Sequence, residues 1–288
     1  MKYVYIVNRF NLKEKTDELI SRLKTVSKEF KRDYEIRVNE TVEDALKMKE
    51  DYRNTEYIIT AIGGDGSVNL VLNDIVGTKN ILSFIPYGTG NDFYRTCEET
   101  LEDGIHDVDI IRINDSYFIN VACFGIDADI ANDEHYIHNR FIPKSMRYNA
   151  GVVHHFLTYS SRKMKVEFND ETVDKQFTTV VVANSRYFGN GYRVSPLSYM
   201  DDGKMELLLA DKLNKASMAN VILSMKNAGH LKNPAVRMTC ADKITISSDI
   251  PFKANIDGEP LLADHFEITM VPKGIRLEFN KEFAKRFK

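Results

Sequence analysis

The chain has 288 residues, a net charge of −3 and a pI near 6.2, with 43% hydrophobic and 28% charged residues. That length carries two domains with cores of their own. The weakly acidic balance excludes a general basic footprint for nucleic acid, so no nucleic-acid partner is expected.

Taken in chain order, Tyr3–Asn8 reads as a buried strand, and Lys15–Phe30 places Leu19, Leu23 and Val26 at helical spacing. Tyr34–Val38 alternates like a strand. Thr41 has the chemistry of a helix N-cap, with Asp44 three residues on. The strand Tyr57–Ile62 stops at Gly63-Gly64-Asp65-Gly66-Ser67-Val68-Asn69, and a helix is predicted from Val68 to Val76. Ile81–Ile85 is the next strand, ending in Pro86-Tyr87-Gly88-Thr89-Gly90-Asn91-Asp92. Strands alternating with helices predict a parallel sheet covered by helices. Ligands of such sheets bind at the carboxyl ends of the strands, where both glycine turns fall.

From about residue 108 the pattern turns to strands: Val108–Ile113, Tyr117–Ala122, Met164–Phe168, Phe177–Ala183, Met205–Ala210, Ile244–Ser247, Phe252–Ile256, His265–Val271 and Ile275–Phe279. Helices are expected only near Ser145–Tyr159 and Ala216–Asn227. The predicted fold is therefore α/β plus all-β. Residues 1–125 form an α/β unit and 126–280 a β-sandwich.

Three cysteines, Cys97, Cys123 and Cys240, are too widely spaced for zinc-ligand pairs and odd in number for a disulfide framework, which fits a reducing cytoplasm. Met1–Asn8 turns polar too soon for a signal peptide. No apolar run approaches the ~20 residues that span a bilayer, so membrane contact is expected to be peripheral.

Four clusters carry chemistry. A strand, a glycine turn and a helix N-terminus make a phosphate site, because outward N–H groups and the helix dipole favour negative charge. Asp65 would repel phosphates unless a metal or a ligand hydroxyl lay between them, which suggests Mg²⁺ or a sugar hydroxyl. The second turn, Gly88–Asp92, alone would be a turn with a helix cap; one strand from the first, it gains weight as the facing wall. Asp257-Gly258-Glu259 alone is a hairpin turn, but its two carboxylates could take a proton from an alcohol in step with phosphoryl attack. Asp201-Asp202-Gly203 alone is a solvated loop able to hold a cation. His154-His155 reads as packing or surface rather than as a metal pair.

Together these residues resemble the diacylglycerol kinase catalytic-domain family, in particular its soluble bacterial lipid kinases. Gly63–Asn69 is similar to the family's Gly-Gly-Asp-Gly-Thr-x-Asn motif, with Ser67 keeping the hydroxyl of the usual Thr. Pro86–Arg95 is similar to Pro-x-Gly-Thr-x-Asn-Asp-Phe-x-Arg, and Asn190–Gly203 and Asp257–Glu259 follow in order. Asn8-Arg9-Phe10-Asn11 departs from the usual Asn-Pro-x-x-Gly.

The resemblance implies an ATP- and Mg²⁺-dependent lipid kinase with its active site between the two domains. ATP is expected on Asn8, Arg9, Thr41, Gly63, Gly64, Asp65, Gly66, Ser67, Asn69, Gly88, Thr89 and Asn91. Asp257 and Glu259 are expected to be catalytic, one as base. The side chain of Asp202 with the carbonyls of Tyr199 and Lys204 resembles a structural Mg²⁺ site. Residues 281–288 would return to the first domain. A homodimer acting on membrane lipid from the cytoplasm is also implied. NAD kinases and phosphofructokinases share the glycine loop, though their other signatures are missing here. A nucleotide- or lipid-binding regulator without catalysis is the alternative of a different class.

Overall fold

The computed structural model describes residues 1–12, 15–88, 90–131 and 158–287. Four strands, β1 (Tyr3–Asn8), β2 (Tyr34–Asn39), β3 (Ile58–Gly63) and β4 (Ile81–Pro86), pair in parallel in the order β2-β1-β3-β4. Their sequences are near-continuous apolar runs because both faces are covered. Successive side chains on a strand point to opposite faces. On one face Tyr5 and Val7 meet Leu19, Leu23 and Val26 of the helix Thr16–Glu29. On the other, Val4 and Ile6 share a core with Val68, Val71, Leu72 and Ile75 of the helix Asp65–Ile75. Asn8 lies opposite Asn39 and Gly63 opposite Pro86 in the ladders, so the strands' carboxyl ends share one edge.

The remaining strands are β5 (Gly104–Ile113), β6 (Ser116–Phe118), β7 (Val121–Gly125), β8 (Arg162–Phe168), β9 (Glu171–Ala183), β10 (Met205–Asp211), β11 (Val236–Ala241), β12 (Lys243–Ile256) and β13 (Glu259–Phe279). The first halves of β9 and β12 pair with β8 and their second halves with β7. Strands that pass between layers this way close a sandwich over a shared core. Here that core holds Phe118, Phe124, Phe177, Phe252 and Phe266.

Strand β13 then leaves the sandwich. Leu277 and Glu278 pair in parallel with Leu82 and Ser83 of β4, so a single sheet runs through both halves. The helix Lys281–Lys285 follows, and Phe283 and Phe287 pack with Tyr5, Leu19 and Leu23. The Arg32 guanidinium lies 4.0 Å from the Tyr3 ring centre and 3.6 Å from that of Phe283, and donates to Glu278 at 2.9 Å.

Several elements differ from expectation. Tyr117–Ala122 is not one strand: pairing breaks at Ile119 and Asn120, whose N–H groups go to the Asp257 carboxylate instead of a ladder. Ile244–Ser247 and Phe252–Ile256 are one strand with a bulge between them, and His265–Val271 and Ile275–Phe279 are likewise joined in β13. Strand β11, absent from the sequence reading, shows little alternation, with only Val236 and Ala241 buried. The expected division at residue 125 lies beyond strands that already serve the sandwich. Along β5, Val108 and Ile110 face the first core while Ile111 and Ile113 face the second. The predicted helix Ser145–Tyr159 lies outside the described residues except for its last two positions, and His154-His155 lies wholly outside them.

Candidate functional site

Three glycine turns converge at the carboxyl edge of the parallel strands. Gly63 has φ +153°, and a side chain there would collide with Ser67. A Cβ on Gly88 would lie 2.6 Å from the Gly64 Cα and 2.8 Å from its nitrogen, so the first two turns touch through backbone alone. The Tyr87 N–H also donates to the Gly63 carbonyl at 2.9 Å. The third turn comes from the sandwich. Asp257 and Gly258 link β12 to β13 with φ of +49° and +99°, the sign pattern of a type I′ hairpin. A Cβ on Gly258 would lie 3.8 Å from the Gly66 nitrogen, and one on Gly66 would lie 3.1 Å from Glu259 Oε1.

Carboxylates, Asp65 half-buried and Asp92 and Asp257 buried, hold these turns in place. Asp65 accepts from the backbone N–H groups of Asp92 (3.1 Å) and Phe93 (2.9 Å). It thereby caps the helix Asp92–Thr100, whose own N-cap residue, Asn91, makes no side-chain cap bond. Asn91 is left-handed (φ +52°); its amide donates to the Gly88 carbonyl at 2.8 Å and its carbonyl accepts from the Gly88 N–H at 3.1 Å. Asp92 accepts from the N–H groups of Asn190 (2.7 Å) and Gly191 (2.8 Å) and pairs with Arg95 at 3.4 Å. Burial pushes the carboxyls of Asp65 and Asp92 up from their ordinary range, against the pull of these N–H groups.

Asp257 is 4% exposed. Its oxygens accept from the N–H groups of Ile119 (2.9 Å), Asn120 (3.1 and 3.3 Å) and Val121 (2.8 Å), and from the Asn69 amide (3.2 Å). A carboxylate has about four lone-pair sites, and these donors take them up. Burial lifts Asp257 to about 6, with the N–H groups pulling the other way. Glu259, two residues on, is exposed.

The other expected residues sort as follows. Asn69 is 7% exposed, and its amide is committed to Tyr117 O (2.9 Å) and Asp257, which makes it a tie between the halves rather than a free nucleotide contact. Asn8 accepts from Asn39 at 2.9 Å. Arg9 is ion-paired with Asp17 and Glu40, which spends its charge inside the chain. Thr41 forms a reciprocal capping box with Asp44. Thr89 lies outside the described residues. In the Asp202 loop, the Lys204 N–H donates to Asp202 at 3.1 Å, and the Arg186 guanidinium lies over the exposed Tyr199 ring. The anchor of that loop is Asp109, which sequence reasoning missed. It is 1% exposed and accepts from Gly203 N (2.6 Å) and Lys273 N (2.7 Å). Asp92, at the end of the second glycine motif and a candidate metal or hydroxyl ligand from the sequence, is committed to the Asn190 and Gly191 N–H groups. Among the described residues no group of three His, Cys, Asp or Glu side chains could hold a metal directly.

Comparison with known proteins gives the family. Residues 2–121 match the description "Diacylglycerol kinase catalytic domain", and residues 120–279 match "YegS C-terminal NAD kinase beta sandwich-like domain". The chain belongs to the diacylglycerol kinase family. The two matches meet at residues 120–121, where the backbone binds Asp257. A protein of Staphylococcus epidermidis named diacylglycerol kinase is 26% identical over 275 residues, covering 85% of this chain and 83% of that one. The Bacillus subtilis protein of the same name is 24% identical over 222 residues, covering 70% and 71%. A crystal structure of a diacylglycerol kinase from Bacillus anthracis superposes with a TM-score of 0.72 at 20% identity, covering 98% of both chains, a likeness of fold. The family's two-part organisation, with a sandwich-like second half, is therefore the organisation of this chain. No helix among the described residues is long and apolar enough to cross a membrane.

Proposed function

We propose that the protein is an ATP- and Mg²⁺-dependent lipid kinase. The observation that carries the reading is the meeting of the Gly63–Gly66 and Gly88 turns with Glu259, a carboxylate delivered by the other half of the chain. ATP phosphates would lie at the N-terminus of the helix Asp65–Ile75, where backbone N–H groups and the dipole favour anions and no Cβ intervenes. Asn91 shapes the Gly88 turn, Asp65 of the first loop holds the helix that follows it, and Asp92 ties that helix to Asn190 and Gly191.

Glu259 is the proton acceptor in this reading, because Asp257 has its oxygens filled by backbone donors. Asp257 is the positioning residue that holds the hairpin. As the lipid oxygen bonds to the γ-phosphorus, its proton passes to Glu259, the bond from phosphorus to the bridging oxygen breaks, and ADP leaves. Catalysis is then mainly positioning with charge stabilisation. Mg²⁺ commonly keeps its waters and takes one or two carboxylates plus substrate phosphates. No three carboxylates among the described residues could hold the ion directly, and Asp65 and Asp92 already accept from backbone N–H groups, so Mg²⁺ would be held mainly by the ATP phosphates and its own waters, where it would neutralise phosphate charge. A structural Mg²⁺ at Asp202 with the carbonyls of Tyr199 and Lys204, peripheral membrane contact and a homodimer belong to the same proposal.

The test is incubation of the protein with labelled ATP, Mg²⁺ and a total lipid extract, followed by mass spectrometry, with NAD and sugar phosphates as parallel acceptors. A phosphorylated lipid, lost on adding EDTA, is the expected product. Label on NAD or a sugar phosphate would reassign the acceptor, and ATP binding with no transfer to any acceptor would point to a regulator.

A further inference from the structure

A second polar centre lies on the sandwich, at the far end of β7 from Asp257. Strand β7 ends at Gly125, and the helix Ile126–Ala131 follows at once, with Asp127 in its first turn. Although the residue as a whole is half-buried, Asp127 Oδ2 is closed off from solvent and has no hydrogen-bond partner. The Tyr159 hydroxyl is likewise closed off; the Arg162 backbone N–H acts on its oxygen, while its own proton meets no acceptor. The two groups belong to one neighbourhood: the charges of Asp129 and Arg162, which pair with each other at 3.7 Å, and then of Asp127 act on the Tyr159 phenol, and a Cβ on Gly125 would lie 3.1 Å from the Tyr159 oxygen. Gly125 also has φ +128°, and a Cβ there would come within 2.6 Å of Thr178 O. Glycine is thus what lets the phenol oxygen sit over this backbone. The Thr179 hydroxyl donates to Phe124 O at 3.3 Å and lies against the carboxylate, yet Oδ2 stays without a donor.

Buried polar atoms without partners are rare and ask for a reason. Here one orphan can only accept when ionised and the other can donate. The centre is connected to the proposed chemistry through β7. Cys123 on β7 lies opposite Asn255 on β12, and the charges of both Asp127 and Asp257 act on its thiol. Only six positions separate Val121, which donates to Asp257, from Asp127, a span of at most about 20 Å at roughly 3.3 Å per residue. One membrane lipid reaches that far.

We propose that Asp127 and Tyr159 form a polar subsite for the acceptor lipid, which therefore carries a further hydrogen-bond donor (hydroxyl, amine or amide N–H) besides the hydroxyl that is phosphorylated. A 1,2-diacylglycerol has only ester acceptors beyond its reacting hydroxyl and leaves Asp127 unpartnered. A ceramide or a glycerol-headed phospholipid satisfies it. Burial lifts the Asp127 carboxyl to about 6, so it is ionised at neutral pH and strongly in need of a donor. This inference rests on the lipid-kinase reading for the identity of the ligand, and its test reads binding rather than turnover.

Binding of short-chain ceramide and of short-chain 1,2-diacylglycerol, matched in chain length, is measured by calorimetry on the wild type, Asp127→Asn, Asp127→Leu and Tyr159→Phe. The wild type is expected to favour ceramide at least tenfold. Asp127→Leu and Tyr159→Phe should cut that preference at least fivefold, with diacylglycerol affinity within twofold and ATP affinity unchanged. Asp127→Asn, which keeps one acceptor oxygen, should retain part of it. Equal wild-type affinity for the two lipids overturns the proposal, as does a preference that survives in both Asp127→Leu and Tyr159→Phe, the result expected if the pair holds only a trapped water. A preference that behaves as expected in a protein that phosphorylates no lipid leaves the subsite standing and removes the kinase reading instead.

Discussion

The Asn69 amide donates to the Asp257 carboxylate at 3.2 Å across 188 positions of sequence, and joins the helix of the first glycine loop to the hairpin of the sandwich. The same amide donates to Tyr117 O at 2.9 Å. Asn73 donates to Asn69 O and accepts from Tyr117 N, so the tie belongs to a small, partly buried network. Asn69→Ala removes the donor but leaves the acceptors buried, a change that costs about 1–3 kcal/mol. Urea unfolding should show a free energy of unfolding lower by that amount and a correspondingly lower midpoint, and kcat for lipid phosphorylation should fall about tenfold or more as the hairpin loosens. Unchanged kcat would mean the tie serves folding alone.

Gly88 answers a different question, whether the two glycine turns must touch. An alanine Cβ would sit 2.6 Å from the Gly64 Cα, with no flexible side chain to give way. The turns would have to separate. Gly88→Ala should raise the Kd for ATP about tenfold or more by fluorescence titration with a labelled nucleotide, and destabilise the fold by about 1–3 kcal/mol. An ATP affinity equal to wild type would show that the nucleotide does not use the junction of the turns.

The sequence displays the parallel half almost completely. Glycine after a β-leaning run, apolar residues at helical spacing and the Thr41–Asp44 capping box are local signals, and each falls within a residue or two of its observed place except the helix read from Val68, which begins at Asp65 within the glycine motif itself. Information held by distant partners is not displayed. Nothing near Ile119 and Asn120 says that their N–H groups belong to Asp257, more than 130 positions on, so the strand there reads as unbroken. Asp65 reads as a metal or sugar ligand because its place on the helix Asp92–Thr100 depends on how β3 and β4 align. Asp109 and Asp127 look like ordinary strand-end or helix-start acids until burial distinguishes them.

Stability should depend on pH through Asp127. Its carboxyl stands at about 6 in the folded chain, against a reference near ~3.9 unfolded. A folded value raised by burial means the native state holds the proton more tightly. The group's penalty is absent below about pH 4 and grows as pH rises through 6, to about 3 kcal/mol at neutral pH. Asp127→Asn should therefore match wild type in thermal unfolding at pH 4 and exceed it at pH 7.5, with lipid absent from both. A variant no more stable at pH 7.5 would mean that the carboxylate finds compensation in the native state.

The division of labour between Glu259 and Asp257 separates in paired variants. Glu259→Gln keeps shape and removes the proton acceptor; a positioned general base contributes typically about 10²–10⁴ in rate. Its kcat should drop within that range, with ATP Kd and urea midpoint near wild type because the side chain is exposed. Asp257→Asn instead replaces an acceptor-only group facing Ile119, Asn120 and Val121 N–H donors with one whose NH₂ meets them head-on. It should lose both stability and rate, and its remaining activity should keep the wild-type pH profile. If Glu259→Gln turns over normally while a folded Asp257→Asn is inactive, the proton acceptor is Asp257, and its backbone donors must let go in the complex with lipid.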